Sequence, residues 1–291
     1  MAMRNDFAVF ILTHGRPEKV YTYATLRKQN YTGKIYLLVD SEDDTVSAYR
    51  ERYPNEVVVF DKSEVADTFD VGDNFPNHRG VVYARNAVFG VARELGLKYF
   101  LELDDDYTHF AYKFTSKLTY YERKCWRLDD LFLILLEYYE SIPALSIAMA
   151  QNGDFIGGSR SGFGNKLALR RKCMNSFFCS VDRPFQFIGR INEDVNTYVR
   201  LGLVGKLFLT VPNVSLAQKT TQHNTGGLTE FYLDIGTYVK SFYTVIYAPS
   251  CTRVAEMGDK HRRIHHRILW NSAVPKILAE KWRVVSEGVN E

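Results

Sequence analysis

Short apolar runs separated by polar, periodic stretches dominate the first hundred residues. Phe7–Leu12, residues 34–39, Val57–Phe60 and residues 99–103 are continuous or nearly continuous hydrophobic segments. Runs of this length without polar alternation suit strands buried on both faces, as in parallel sheets. Between them, Pro17 opens a helical pattern reaching about Gln29, residues 43–53 read as a helix, and residues 81–95 as another, stopped by Gly96. This alternation predicts an α/β fold with a mostly parallel central sheet. Residues 67–80 are polar and turn-rich and predict an ordered loop.

The second half is less regular. Phe110, Tyr112 and Phe114 alternate with polar or small residues, a half-buried strand. Residues 128–139 predict a helix, 145–150 a strand, 193–201 a helix and 205–211 a strand. Gly157-Gly158 and Gly162 to Gly164 form a glycine-rich segment, and residues 260–282 are basic with a helical pattern. Internal repeats and low-complexity linkers are absent from the sequence. One main domain, residues 1–240, with a C-terminal basic helical extension, 241–291, packed on it, is the expected organisation.

Composition narrows the class. A hydrophobic content of 46% supports an ordinary core. Lysine and arginine number 37 against 34 acids, so a basic surface must be local. Cys125, Cys173, Cys179 and Cys251 are scattered without a C-x-x-C pair, which suggests neither a zinc knuckle nor a disulfide framework. With no signal-peptide pattern in residues 1–6 and no apolar stretch of membrane-spanning length, a reduced cytoplasmic setting without membrane contact is expected.

The chemistry concentrates at Asp104-Asp105-Asp106, directly behind an apolar strand. Three adjacent carboxylates repel one another, and a hard divalent cation such as Mg²⁺ or Mn²⁺ neutralises such a cluster while holding phosphates. An acidic surface turn is the plain alternative. Ligands of open α/β sheets bind beyond the carboxyl ends of the strands. There Thr13 and Arg16 follow the first strand and Asp40 ends the second, so nucleotide contact competes with a surface charge or a turn aspartate. Arg85-Asn86 lies in the helix before the aspartates, where arginine's fork suits a diphosphate or a structural ion pair. Glu193-Asp194 opens a helix, as a general base or simply as dipole-favoured acids. His223, in a polar loop, either joins a metal shell with Asp106 or is solvated. The basic run Lys260-His261-Arg262-Arg263, then His265-His266-Arg267, suits a phosphate backbone or a solvated face.

The order of these motifs carries more than any one. Tyr83-Ala84-Arg85-Asn86, an apolar strand, Leu103-Asp104-Asp105-Asp106, a glycine-rich segment and Asn192-Glu193-Asp194 resemble the core of GT-A glycosyltransferases of the family 2 type over residues 7–227. Ile11-Leu12-Thr13-His14-Gly15-Arg16-Pro17, Gly189 to Asp194 and Gly236 to Ser241 resemble the TET-associated glycosyltransferases of tailed phages. The resemblance implies a GT-A fold and a metal-dependent enzyme. A UDP-sugar would be the donor, and 5-hydroxymethylcytosine or another 5-hydroxymethylpyrimidine in phage DNA the acceptor. It implies that Thr13, Arg16, Asp40, Arg85 and Asp104 hold the nucleotide sugar, that Asp104, Asp106 and His223 hold Mg²⁺ or Mn²⁺, and that, if transfer inverts the anomeric carbon, Asp194, with Glu193 second, is the base; inversion and retention both stay open. Arg160, Arg170, Arg171 and the basic tail are the expected phosphate contacts. A GT-A enzyme acting on a cell-surface glycan or protein shares this donor site and differs in acceptor. A nucleotidyltransferase is disfavoured because residues 13–17 carry one glycine and no lysine. Asp105 is expected to contribute least to ligand, since adjacent side chains of an extended segment point to opposite faces.

Overall fold

The structure, a computed structural model, describes residues 3–155, 158–160, 172–219, 236–257 and 262–275. The apolar runs become β1 (Phe7–Leu12), β2 (Lys34–Asp40), β3 (Val57–Phe60) and β4 (Tyr99–Asp104). These lie parallel in the order β3-β2-β1-β4. Every residue of β1 is buried, which explains its lack of alternation. Its odd-numbered residues, Phe7, Val9 and Ile11, enter one core with Leu26 of α1 (Tyr21–Lys28) and Tyr49 of α2 (Val46–Arg52). Its even-numbered ones, Ala8, Phe10 and Leu12, enter a second core with Val82, Val88 and Phe89 of α4 (Val82–Glu94). A short α3 (Lys62–Ala66) precedes α4, capped by the Asp61 carboxylate on the amides of Ser63 and Glu64. Pro17 starts a single 3-10 turn, Pro17–Lys19, ahead of α1.

Beyond β4 the sheet becomes mixed. It adds β5 (Tyr107–Phe114), β6 (Tyr120–Lys124), β7 (Ala144–Gln151), β8 (Ser176–Ser180) and β9 (Leu207–Gln218). Among the described residues nine strands form this sheet, ordered β3-β2-β1-β4-β8-β7-β9-β5-β6. The parallel character expected from sequence thus holds in the first half, and β8 reverses it between β4 and β7. The pattern gave no sign of β8, a five-residue, fully buried segment bracketed by serines. Helices α5 (Leu128–Ser141) and α6 (Glu193–Leu203) fall where the periodicity put them. No helix among the described residues is long and apolar enough to cross a membrane.

The C-terminal region departs from expectation. After α7 (Lys240–Tyr247) come two antiparallel strands, β10 (Thr252–Met257) and β11 (Arg263–Ile268), and then the four-residue α8 (Trp270–Ala273). The helix expected across residues 260–282 is a strand at Arg263–Ile268. Its residues follow period two, with His266 buried and Ile268 packed on the second core, and the backbone ladder to β10 fixes that alternation. His265 therefore lies on a strand. Residues 276–291, Gly157, Gly162 to Gly164, Arg170, Arg171, His223 and His261 lie outside the described residues.

Two helical glycines separate crowding from propensity. A Cβ on Gly202 of α6 would run into the carbonyl oxygen of Ala273, whereas Gly90 of α4 faces open space. Gly90→Ala is expected to raise stability by about 0.5–1 kcal/mol, and Gly202→Ala to lower it by about 1–3 kcal/mol through overpacking. Urea denaturation midpoints moving in opposite directions check this pair; a common direction contradicts the α6–α8 contact.

Candidate active site

The three aspartates have three different environments. Asp104 is the last residue of β4; its side chain is 30% exposed, and Oδ1 accepts from Arg85 Nη2 at 2.9 Å. The Tyr107 hydroxyl donates to Asp104 Oδ2 at 3.3 Å. Asp105 turns the other way and is 1% exposed. Its Oδ2 accepts from Thr13 Oγ1 and from Arg16 Nε, each at 2.7 Å. Thr13 Oγ1 also lies 2.7 Å from the Tyr49 hydroxyl, so the loop after β1 is tied to β4 and α2. Asp106 has a buried Oδ1 without a hydrogen-bond partner. Burial first, then the neighbouring charges of Asp104 and Asp105, push its pKa up to about 7.

Arg85 sits at the centre, 1% exposed. Its Nε donates to Glu193 Oε1 at 3.0 Å, its Nη2 to Asp104, and its Nη1 lies 3.6 Å from Glu102 Oε2. Its guanidinium also approaches the rings of Phe177 at 5.2 Å and Phe187 at 5.8 Å. One cation therefore faces three carboxyl groups, with Asp194 close behind. The shortfall raises acid pKa values. Glu102, fully buried on β4, is pushed up to about 8, chiefly by desolvation. Glu193 is pushed up to about 7 by burial and by Asp194. Asp194 is raised by burial against the pull of Arg85, and its Oδ1 accepts from the Val195 amide at 2.7 Å. An excess of buried acid with an orphaned Asp106 oxygen is a donor set that suits a hard divalent cation. Among the described residues no three His, Cys, Asp or Glu side chains already converge as a complete metal site.

Asp40 at the end of β2 is committed to protein partners. Its Oδ2 lies 2.7 Å from His14 Nδ1, and its Oδ1 lies 3.1 Å from Lys62 Nζ. Burial works against its charge, but the His14 bond and Lys62 outweigh it, leaving Asp40 below the usual carboxylate range. His14, bonded to Asp40, is raised. The Gly15 amide donates to Asp43 Oδ2 at 2.7 Å.

The segment before α6 is strapped from two sides. Arg190 is fully buried and donates Nε to Asp73 Oδ2 at 2.8 Å, Nη2 to Asp73 Oδ1 at 3.1 Å and Nη1 to the Arg79 carbonyl at 2.6 Å. The Tyr243 hydroxyl of α7 donates to the same Asp73 Oδ2 at 2.6 Å. The Gly189 and Arg190 amides donate to the carbonyls of Asp70 and Val71, both at 2.9 Å. Asn192 adopts φ +56° and donates Nδ2 to the Lys240 carbonyl at 2.5 Å. The loop over residues 67–80, expected to be ordered, is held by these bonds.

Of the residues singled out from sequence, the fold brings Thr13, Arg16, Arg85, Asp104, Asp106, Glu193 and Asp194 to one edge, with Asp40 beside them. His223 lies outside the described residues. Arg160 is described, in a 3-10 turn at Gly158–Arg160. Sequence reasoning missed Glu102, Lys62, Asp73 and Arg190. A charged residue inside an apolar strand run was the available signal for Glu102; the other three are recognised only through their partners.

With this geometry in place, a family model described as TET-Associated Glycosyltransferase matches residues 7–227. Among curated proteins nothing matches the chain. Glucosyl-3-phosphoglycerate synthase from Mycobacterium tuberculosis, solved with Mn²⁺, UDP and phosphoglyceric acid, is 11% identical. The match covers 90% of this chain and 87% of that one at a TM-score of 0.44. TarS of S. aureus is 15% identical over 78% of this chain and 38% of its own, TM-score 0.45. Mannosyl-3-phosphoglycerate synthase from Rubrobacter xylanophilus is 9% identical over 92% and 90%, TM-score 0.41. At these scores the structural likenesses carry nothing about activity.

His266 of β11 lies behind this edge, its Nδ1 3.5 Å from Asn192 Nδ2. Burial, with the charges of His265, Lys172 and Lys240, pushes its pKa down to about 4 from an ordinary 6.5. The unfolded chain therefore takes up this proton first as pH falls, so the stability present above pH 6.5 is lost on the way to pH 4. This group's share is about 1.4 kcal/mol per pH unit. His266→Gln is expected to flatten the acid limb of the stability profile, measured by urea denaturation; an unchanged limb shows that His266 is not kept neutral by the fold.

Proposed function

The chain belongs to the TET-associated glycosyltransferase family, and on that footing we propose that it moves a sugar from a UDP-sugar to the hydroxyl of 5-hydroxymethylcytosine, or another 5-hydroxymethylpyrimidine, in DNA. The enzyme class is that of a glycosyltransferase. Four parallel strands, the reversed β8 beside them and the acids at the end of β4 form the GT-A layout. The observation that carries the proposal is the Arg85 bridge. One guanidinium joins Asp104, on the donor side, to Glu193, on the acceptor side, at 2.9 and 3.0 Å. The two acidic motifs, far apart in sequence, thereby share one reaction centre.

In this reading the nucleotide sugar lies across the carboxyl ends of β1, β2 and β4. Thr13 and Arg16 shape its floor through Asp105, and Asp40 with His14 and Lys62 forms the wall toward the uridine. Asp104 and Asp106, with His223, would hold Mg²⁺ or Mn²⁺, which when bound supplies Lewis-acid neutralisation of the diphosphate. The orphaned Asp106 oxygen supports that assignment. Arg85 orients Asp104 and Glu193. Asp194 takes the proton of the acceptor hydroxyl as its oxygen bonds to the anomeric carbon and the carbon–diphosphate bond breaks, with Glu193 as second candidate. Raised carboxylate pKa values at this position favour a base working near neutral pH. A base inside duplex DNA reaches such an enclosed carboxylate by flipping out of the stack.

Incubation of hydroxymethylated DNA with a panel of UDP-sugars, read by nucleoside mass spectrometry, is expected to show one hexose or pentose added. No adduct with any donor defeats the acceptor assignment. Asp194→Asn should cut turnover by about 10²–10⁴-fold while calorimetric UDP affinity persists; wild-type turnover in that variant removes Asp194 from the base role. Asp106→Ala, or EDTA, should weaken UDP binding as well as turnover, and full activity in either refutes the metal assignment.

A further inference from the structure

One face of the β10–β11 hairpin carries three arginines. The register sets Arg253 directly opposite Arg267 and Ala255 opposite His265. Alternation along β11 adds Arg263 to the same face. Arg253, Arg263 and Arg267 are exposed, and His265 is half-buried. The other face turns inward at the Thr252–Ile268 end, where Thr252 and His266 are buried and Ile268 packs on the second core, while Glu256 and Ile264 at its far end are exposed. Like charges directly opposite each other destabilise a strand pair. Among the described residues no carboxylate pairs with Arg253, Arg263 or Arg267. The acid of the hairpin, Glu256, falls on the other register and lies 3.7 Å from Arg262.

The surroundings extend the same sign. Helix α7 packs on β11, with Ser241 Oγ donating to the Ile264 carbonyl at 3.0 Å. Lys240 and Lys172 come close enough to His265 and His266 that both imidazoles are held below their ordinary pKa, burial being the larger cause. The inward face of the hairpin meets the segment that leads into α6: His266 is 3.5 Å from Asn192, and Asn192 immediately precedes Glu193-Asp194. The arginines stand on the opposite face of the same two strands. A repelling cluster of this kind, on a hairpin whose other face abuts the start of α6, is accounted for by a ligand that carries anions in a row.

We infer that the outer face of the hairpin, Arg253, Arg263, His265 and Arg267, with Lys172 and Lys240 at its inner end, grips the phosphodiester backbone of the acceptor strand beside the nucleotide that enters the site. This inference rests on the DNA-acceptor reading. The hairpin acts as a two-stranded basic ribbon whose contacts are to phosphates and carry no sequence preference. Its placement next to Asn192 fixes the distance between the gripped backbone and the carboxylates.

The double variant Arg253→Glu/Arg267→Glu tests it, with Arg253→Gln/Arg267→Gln as the milder companion that relieves the cross-strand repulsion. Affinity for hydroxymethylated duplex DNA is measured by fluorescence anisotropy across a salt series, and UDP affinity by calorimetry. Removing two phosphate contacts should reduce the log–log salt slope by about 1.8, and weaken DNA binding by at least about tenfold at low salt in the glutamate variant, with UDP affinity unchanged. Wild-type DNA affinity and slope in both variants overturn the hairpin assignment while leaving the acceptor reading intact. A wild-type protein that binds no DNA at any salt overturns both. Binding of phosphatidylserine vesicles in place of DNA, lost in the variants, would reassign the surface to an anionic membrane and likewise overturn the inference.

Discussion

A single buried guanidinium organises the carboxyl edge of the sheet. Arg85 stands between Asp104 at the end of β4, Glu102 one residue-pair deeper in the same strand, and Glu193 at the start of α6. A charge wholly removed from water costs several kcal/mol unless its partners are well placed. Here the partners come from two elements that no local interaction would bring together. The arrangement is underneutralised, which is unusual for a structural ion pair. Glu102 answers by holding its proton, and Asp106 and Glu193 titrate close to neutrality. An interior that has this much acid and only one cation at its centre is matched to a cationic guest.

Rigidity around that centre comes from a second buried arginine. Arg190 ties the loop over residues 67–80 to the segment leading into α6, and Tyr243 closes the same carboxylate from α7. Asn192, in the left-handed region, then turns the chain so that Glu193 and Asp194 begin the helix side by side. Acids at a helix start are favoured by its dipole, which offsets part of their burial cost. On the other flank, Thr13 and Arg16 converge on Asp105, so the middle aspartate serves as an anchor that keeps its neighbours oriented. The triplet Asp104-Asp105-Asp106 thus divides its labour where β4 ends and a two-residue turn leads into β5, Asp105 being buried and Asp104 and Asp106 partly open.

Charge is segregated on a larger scale as well. Acids line the end of β4 and the start of α6, while arginines collect on the hairpin that follows α7. Formal charges nearly cancel over the whole chain, +3 in net terms. The separation therefore creates local fields of opposite sign on the two regions.

The sequence by itself determined the parallel half of the fold, because strands buried on both faces must be continuously apolar and the helices between them must be amphipathic. It also located the acidic motifs and Arg85, since charged residues at the ends of buried strands have few structural reasons to be there. Strand β8 was illegible because five buried residues bracketed by serines carry no periodicity. The basic tail was misread because Arg-Ile-His-His-Arg-Ile satisfies helical and strand patterns alike, and only the ladder to β10 chooses between them. Tertiary structure alone decided which acids share Arg85, that Asp40 is taken by His14 and Lys62, and that Arg253 meets Arg267. The first two are pairings between elements brought together by the nine-stranded sheet and the third is set by the register of a separate hairpin, and local sequence holds no record of any of them.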